Sequence, residues 1–342
     1  MKFLITGGCG FLGSNLAQEA ISRGHELAVL DNLSRVGSEL NLKWLQSLSP
    51  ELKHYSADIR NQDDVNFIIE EYKPDVIFHL AGQVAVTTSL ARPRFDFEIN
   101  VLGTFNVLLA AKDHCPEAAI FYSSTNKVYG DLEDLEMNES ELRYDPVTYK
   151  NGLPESVPLD FSTPYGCSKG AAEQYMKDFA SCFALKTVVF RHSSIYGNRQ
   201  FSTFDQGWVG WFVQQAINTI GDKNNSYTIS GTGKQVRDLL YSEDIISCYF
   251  LALEHIDKIK GQAFNIGGGV ENSLSLLELF KLLESELDIK LNFEKLAFRA
   301  HDQRYFAADI TKAHDLFGWK PKVSSTEGVR NMINWVKTIK EL

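Results

Sequence analysis

Lys2-Phe3-Leu4-Ile5-Thr6-Gly7-Gly8-Cys9-Gly10-Phe11-Leu12-Gly13 opens the chain with a short apolar run that breaks into a glycine-rich turn. An amphipathic segment, Phe11 to Ile21, follows at once. A strand feeding a helix through glycines is the form in which dinucleotide phosphates are held. The first turn of the helix presents unpaired N–H groups, and the glycines let the backbone come close to the pyrophosphate. Gly7, Gly10 and Gly13 follow a GxxGxxG spacing rather than GxGxxG, and their physical roles survive the change.

The segments that follow repeat the pattern. Leu27-Ala28-Val29-Leu30 ends in Asp31, and Val76 to Leu80, Ala119 to Tyr122 and Thr187 to Phe190 are further short apolar runs. Runs of this kind read as strands buried on both faces of a parallel sheet. Asp63 to Tyr72 and Val101 to His114 lie between them with helical patterning. The alternation predicts an α/β fold, a Rossmann-type doubly wound parallel sheet with ligands at the carboxyl ends of its strands.

After residue 191 the alternation loosens. An aromatic stretch, Phe201 to Phe212, runs on as a helix-like segment to Ile220, then a turn over Gly221 to Asn225 and a strand-like Tyr227-Thr228-Ile229. Ser273 or Ser275 is placed to cap a helix from Leu276 to Leu287, and Asp309 to cap a short one ending at Gly318. The expected division is a dinucleotide-binding domain over 1–190 and a smaller mixed α/β substrate lobe over 191–342, with chain exchange between the lobes allowed for.

Composition narrows the partners. With 342 residues, 44% apolar and 23% charged, the chain can bury a substantial core and is not expected to be disordered. A formal charge of −10 argues against nucleic acid or an anionic membrane surface. Cys9, Cys115, Cys167, Cys182 and Cys248 are scattered without metal-ligand spacing, so we expect no metal and reduced thiols in a cytoplasmic protein. The chain starts on a strand, with no signal segment expected ahead of it, and no apolar run approaches the ~18 residues of a membrane span.

The chemistry rests on Pro164-Tyr165-Gly166-Cys167-Ser168-Lys169, where a phenol and an ammonium four residues apart share one helix face. Tyrosine is a poor base at its reference pKa near ~10. A neighbouring ammonium and a positive nicotinamide would lower that value. Lys169 is also placed to bond the nicotinamide ribose, and Ser123-Ser124-Thr125 to supply a hydroxyl opposite the tyrosine. Asp31 stands 18 residues beyond Gly13, where a carboxylate accepts from the adenosine ribose and repels a 2′-phosphate, which favours NAD. Arg35 pulls the other way, toward NADP. Asp58-Ile59 would flank the adenine. His192, at a strand end, falls where the nicotinamide should lie, and Gln83 and Asn126 could reach sugar hydroxyls. The set implies reversible oxidation of an alcohol. His79 reads as a core histidine, Gly267-Gly268-Gly269 as a turn, and Trp208, Trp211 and Phe212 as core or subunit contact.

Thr6-Gly7-Gly8-x-Gly10-Phe11-Leu12-Gly13, Asp31-Asn32-Leu33, His79-Leu80-Ala81-Gly82-Gln83, Asn100-Val101-x-Gly103-Thr104, Ser124-Thr125-x-x-Val128-Tyr129-Gly130, Pro164-Tyr165-x-x-Ser168-Lys169 and Gly318-Trp319-x-Pro321 together resemble the extended short-chain dehydrogenase/reductase superfamily. The resemblance covers nearly the whole chain. It implies NAD held at Gly7, Gly10, Phe11, Leu12, Gly13, Asp31, Asn32, Ser34, Arg35, Asp58, Ile59, Leu80, Ala81, Gln83, Asn100, Ser123, Tyr165, Lys169 and His192. It implies a catalytic set of Thr125, Tyr165 and Lys169. A nucleotide diphosphate sugar would meet Gln83, Ser124, Thr125, Asn126, His192, Arg237 and Arg299, the two arginines taking the diphosphate because guanidinium forks onto paired oxygens.

Members of the superfamily that dehydrate look like Thr-Asp-Glu where this chain has Thr125-Asn126-Lys127, and those that epimerise at C4 look like Arg-x-x-Asn where it has Arg191-His192-Ser193-Ser194. Ser123 to Asp131, Phe190 to Gly197 and Asp205 to Phe212 are similar to the branch that epimerises CDP-linked sugars at C2. That branch implies transient oxidation at C2 of a 3,6-dideoxyhexose, tightly bound NAD and a homotetramer. The competing expectations are a UDP-sugar 4-epimerase and a non-catalytic dinucleotide-sensing protein.

Overall fold

A computed structural model describes residues 1–222, 225–299 and 301–339, so Lys223-Asn224 of the expected turn lie outside the described residues. The apolar runs form a seven-stranded sheet: β1 (Lys2–Thr6), β2 (Glu26–Leu30), β3 (Lys53–Tyr55), β4 (Val76–His79), β5 (Ala119–Thr125), β6 (Lys186–His192) and β7 (Gln262–Ile266). In space they run β7-β6-β5-β4-β1-β2-β3, and every pairing in this sheet is parallel. The order reverses beside β1, which puts the ligand crevice at the carboxyl ends of β1 and β4.

Strict alternation of side chains assigns each strand residue to one of two cores. Phe3, Ile5, Val29, Phe78, Phe121 and Phe190 face one side, packed by Tyr249 and Phe250 of the helix Ser242–Glu254. Leu4, Ala28, Ile77, Ile120 and Val189 face the other, against Ile68 and Ile69 of Gln62–Tyr72 and Met176 of Thr163–Phe183. Each of the larger of these side chains contributes about 1.5–3 kcal/mol by leaving water. The doubly wound fold expected from the alternation is the fold observed.

A single cut at residue 190 does not divide the molecule. The helix Ser242–Glu254, β7 and the helix Thr311–Phe317 return to the sheet from the carboxyl half. The reason is physical: without β7 the backbone of β6 would be an open sheet edge, and Phe264 and Phe317 complete the aromatic packing on Phe190. What remains is the smaller mixed lobe. Its central strand, Val236–Tyr241, pairs with Ser194–Tyr196, Ser273–Ser275 and Tyr305–Phe306, and Val213, Leu279, Leu283, Val329 and Met332 form its core.

Local signals are mostly where expected. Ser275 and Glu278 make a reciprocal capping box at the start of Leu276–Leu287. Asp309 accepts the N–H of Thr311 at 2.9 Å, one residue outside the helix boundary, Ile310 being the helix N-cap. Among the described residues no helix is long and apolar enough to cross a membrane.

Candidate active site

A cleft of about 730 Å³ opens at the carboxyl ends of the strands, between the sheet and the second lobe. At one end lies the glycine turn. Gly7 has φ +69°, and a Cβ there would stand 2.7 Å from the backbone nitrogen of Ala81. A Cβ on Gly13 would meet the Gly7 carbonyl oxygen at 2.2 Å. Asp31, at the end of β2, accepts from the N–H groups of Cys9 at 2.9 Å and Leu33 at 2.8 Å. Burial raises its pKa, and these backbone donors oppose the rise. Asp58 accepts from Asn32 at 2.9 Å and is forked by Arg60 at 3.0 and 2.8 Å. A cradle that one methyl would fill, with a carboxylate at the next strand end, fits the diphosphate and ribose of NAD. Arg35 lines the same end; burial lowers its pKa, and the Asp205 carboxylate opposes the fall.

At the other end Ser123, Ser124, Thr125, Tyr165 and His192 meet. β5 and β6 pair Thr125 with His192, so the two side chains leave the sheet beside one another. Tyr165 and Lys169 come from the helix Thr163–Phe183, entered through Thr163 at φ +65°, a costly conformation for a β-branched residue. The Thr163 hydroxyl accepts from the Gly166 N–H at 3.2 Å and caps the turn.

The electrostatics of the pair run against expectation. The Lys169 ammonium donates to the Ser123 carbonyl and lies 4.2 Å from the centre of the Tyr122 ring. Burial pushes Lys169 down to about 7, opposed by Asp96 and Glu173. Tyr165 is pushed up to about 12 by burial, and its hydrogen bond with Thr125 recovers part of that rise. Lys169 is aimed at a carbonyl and a ring, so it does not offset the burial of the phenol as the helical spacing predicts.

Several other residues stand apart from their expected places. Asn100 lies behind the cleft wall: its amide donates to Gln83 O and Ser168 Oγ, both at 3.0 Å, and accepts from the Gln83 N–H at 2.9 Å. Gln83 lines the cleft, but its side chain is committed to Ala85 and Asp96. Ser124 turns its hydroxyl into a buried pair, donating to Glu173 at 2.9 Å, and Glu173 is held by Arg191. Asn126 donates to Gln303 at 2.7 Å. Arg237 pairs with Asp302 at 2.8 Å, and Lys127 lies 3.8 Å from the same carboxylate. Arg299 is exposed, donating to Ser230 Oγ at 3.0 Å.

Sequence reasoning missed the segment that closes the cofactor end. Arg199, Gln200, Phe201, Asp205 and Gln206 of the second lobe line the cleft opposite the glycine turn. Arg199 lies over Trp44 at 3.7 Å and Trp335 at 5.1 Å, and Asn41 donates both to Cys9 O at 3.1 Å and to Arg199 O at 3.3 Å. Trp208, read as core or subunit contact, also lines the cleft and donates to Ser194. The aromatic run was visible in the sequence, but nothing in its spacing pointed to the glycine turn.

Residues 4–332 match the profile of the GDP-mannose 4,6 dehydratase family. The chain belongs to that family. Within it, the chain is 58% identical over 339 residues to the CDP-paratose 2-epimerase of Salmonella typhi, spanning 99% of this chain and 100% of that one. The crystal structure of the UDP-glucose 4-epimerase of Thermotoga maritima with UDP-glucose superposes with a TM-score of 0.84 at 28% identity, over 99% of this chain and 100% of that one. The UDP-glucuronic acid 4-epimerase of Bacillus cereus, in complex with UDP-glucuronic acid and NAD, gives 0.82 at 26%, over 99% and 100%. The expected membership of the extended short-chain dehydrogenase/reductase superfamily therefore holds, and the chain is an enzyme of its nucleotide-sugar branch.

Proposed function

We propose that the chain is an NAD-dependent CDP-paratose 2-epimerase, forming CDP-tyvelose by transient oxidation at C2 and re-reduction from the opposite face. The observation that carries this is the 58% identity across the full length to the Salmonella typhi enzyme, against 28% to a 4-epimerase of the same fold. Bound NAD supplies a hydride acceptor that becomes the donor on the return step. Gly7, Gly10 and Gly13 would seat its diphosphate, Asp31 its adenosine ribose, and Asp58 and Ile59 its adenine, all of which line the cleft.

Tyr165 Oη takes the proton of the substrate hydroxyl as the carbon is oxidised, and returns it to the same oxygen. Thr125 Oγ1, already bonded to that phenol, orients the hydroxyl. Lys169, as an ammonium, would donate to the nicotinamide ribose as well as to the Ser123 carbonyl, and the positive nicotinamide would supply the charge that favours the phenolate. One acid–base group suffices for this cycle. Dehydration would need a carboxylic acid and a second base, and Asn126 and Lys127 stand where a dehydratase carries that pair. Arg237 and Lys127, sharing Asp302, form the cationic cluster that we assign to the substrate diphosphate. The reading includes a cytoplasmic homo-oligomer, checked by light scattering of the eluted protein; a mass of one chain would remove the oligomer.

The test incubates purified protein with CDP-paratose and with UDP-glucose, without added NAD, and follows the sugars by NMR. Inversion at C2 of the CDP-sugar is expected. Turnover of UDP-glucose alone would replace this reading with the 4-epimerase, and no turnover of either by cofactor-loaded protein would favour the dinucleotide sensor.

A further inference from the structure

Asp96 is a fully buried carboxylate that the cycle above does not use. It sits on the short helix Pro93–Phe97, which runs through a π-helical turn, Glu98–Leu102, into the helix Gly103–His114. Such turns are rare and cluster at functional sites. Asp96 and Asn100 lie four residues apart and face one interior point. There the Asp96 carboxylate accepts from Ser168 Oγ, from Gln83 Nε2 at 2.6 Å and from Asn100 Nδ2 at 3.3 Å. Asn100 closes the knot, donating to Ser168 Oγ and accepting from the Gln83 backbone. One carboxylate thus joins the cleft wall after β4, the π-turn and the catalytic helix at the residue next to Lys169.

A buried carboxylate costs several kcal/mol in lost hydration unless charge or donors replace the water. Burial raises the pKa of Asp96, and the bonds from Ser168 and Gln83 and the charge of Lys169 oppose that rise. The bonded donors are all neutral, so no bonded cation takes up its charge. Groups from four elements face Lys169. On its own helix stand Tyr165, whose pKa is raised, and Glu173, whose charge is taken up by Arg191. From β4 comes His79, neutral between Thr6 and Thr104; from β5, the ring of Tyr122; from β6, His192, also held neutral. Asn100, bonded to Asp96, and Lys169 Nζ meet across Gly82, where a Cβ would stand 3.1 and 3.8 Å from them. Among the described residues Asp96 is the carboxylate acting on Lys169 that no bonded cation matches, and it leads the groups that resist the loss of the lysine's proton.

We propose that Asp96 is a positioning residue for the epimerisation: it fixes the catalytic helix against the cleft wall through Ser168, Gln83 and Asn100, and its charge keeps Lys169 an ammonium. This rests on the role given to Lys169 above. Asp96→Asn keeps the size and removes the charge. Taking away the nearby negative charge lowers the pKa of Lys169, so the alkaline limb of the kcat profile moves to lower pH by about one unit or more, with about tenfold lower kcat on that limb. Ser168→Ala removes a donor and keeps the charge, so its limb stays at the wild-type pH. Asp96→Glu returns the limb toward wild type.

A uniform fall in kcat at every pH for Asp96→Asn, with the limb unmoved, would overturn the electrostatic role and leave a structural one. The same shift is read without turnover, from NMR of the holoenzyme with lysines labelled at Cε and Lys169 assigned by Lys169→Arg. Failure of CDP-paratose as substrate would leave that titration standing, so the two failures are distinguishable. Should Asp96→Asn not fold, wild type decides: a Lys169 already neutral at about pH 6 overturns the proposal, and one still charged above neutrality supports it.

Discussion

In the proposed epimerisation Tyr165 is the residue on which the chemistry turns, and it shows what a single side chain gains from its setting. Its phenol is held up by burial, so reaction depends on positive charge arriving beside it. Tyr165→Phe should keep bound NAD, seen as absorbance co-eluting with protein, and lose turnover by about 10²–10⁴-fold. Retained turnover within a few fold would remove Tyr165 from its role. Arg237, joined to Asp302 in the second lobe, is assigned in the proposed function to the substrate diphosphate, a part that does not change during reaction. Arg237→Ala should therefore raise KM for the CDP-sugar by about tenfold or more and leave kcat near wild type. A fall in kcat with unchanged KM would place Arg237 at the reacting carbon instead. At this scale the helical spacing of Tyr165 and Lys169 was legible because local geometry sets it. Which way the Lys169 ammonium points was not, since its partners, Ser123 and Tyr122, belong to a distant strand. The bonds of Asn100 to Gln83, Asp96 and Ser168 were not legible, because two of these partners come from segments distant in the chain.

Elements were legible where one periodicity ruled them. β1, β4 and β5 could be read from short apolar runs, and Leu276–Leu287 from its leucines and its cap. The stretch around Arg199 to Trp208 could not, because its place is set by what lies beneath it. Phe201 packs on Gly37, where a Cβ would meet the ring at 2.0 Å and where φ is +84°. Gly37→Ala should therefore lower stability by about 1–3 kcal/mol, through backbone strain and the displaced ring. Thermal unfolding measures the loss, and gel filtration should show NAD leaving the variant faster than wild type. A melting temperature equal to wild type would mean that this segment does not bear on the cofactor end of the cleft. Helix caps alone would not have revealed the contact, since Gly37 and Phe201 lie far apart in the chain.

Across the whole molecule, burial of His79 and His192 makes stability depend on acid. Both are pushed down to about 3 from an ordinary 6.5, so the unfolded chain binds their protons over that window and the folded chain does not. Stability present above 6.5 is therefore lost as pH falls toward 3, by about 1.4 kcal/mol per pH unit for each histidine. Buried Asp31, Asp96, Asp238 and Asp244 pull the other way, because burial raises them. The histidine part is isolated by comparing urea unfolding of wild type and His79→Gln between neutral and mildly acid buffer. The variant should lose less, and an equal slope would show that His79 carries a proton in the fold. The return of β7 to the sheet has a different kind of consequence. β6 ends at His192 and its partner begins at Gln262, so a ribosome must add seventy residues before that sheet edge can close. At about 5–20 residues per second the nascent chain waits several seconds with Phe190 and the backbone of β6 uncovered. A nascent-chain chaperone would find its binding window there, and a synthesis pause inside that interval should cost soluble yield more than one placed after residue 270.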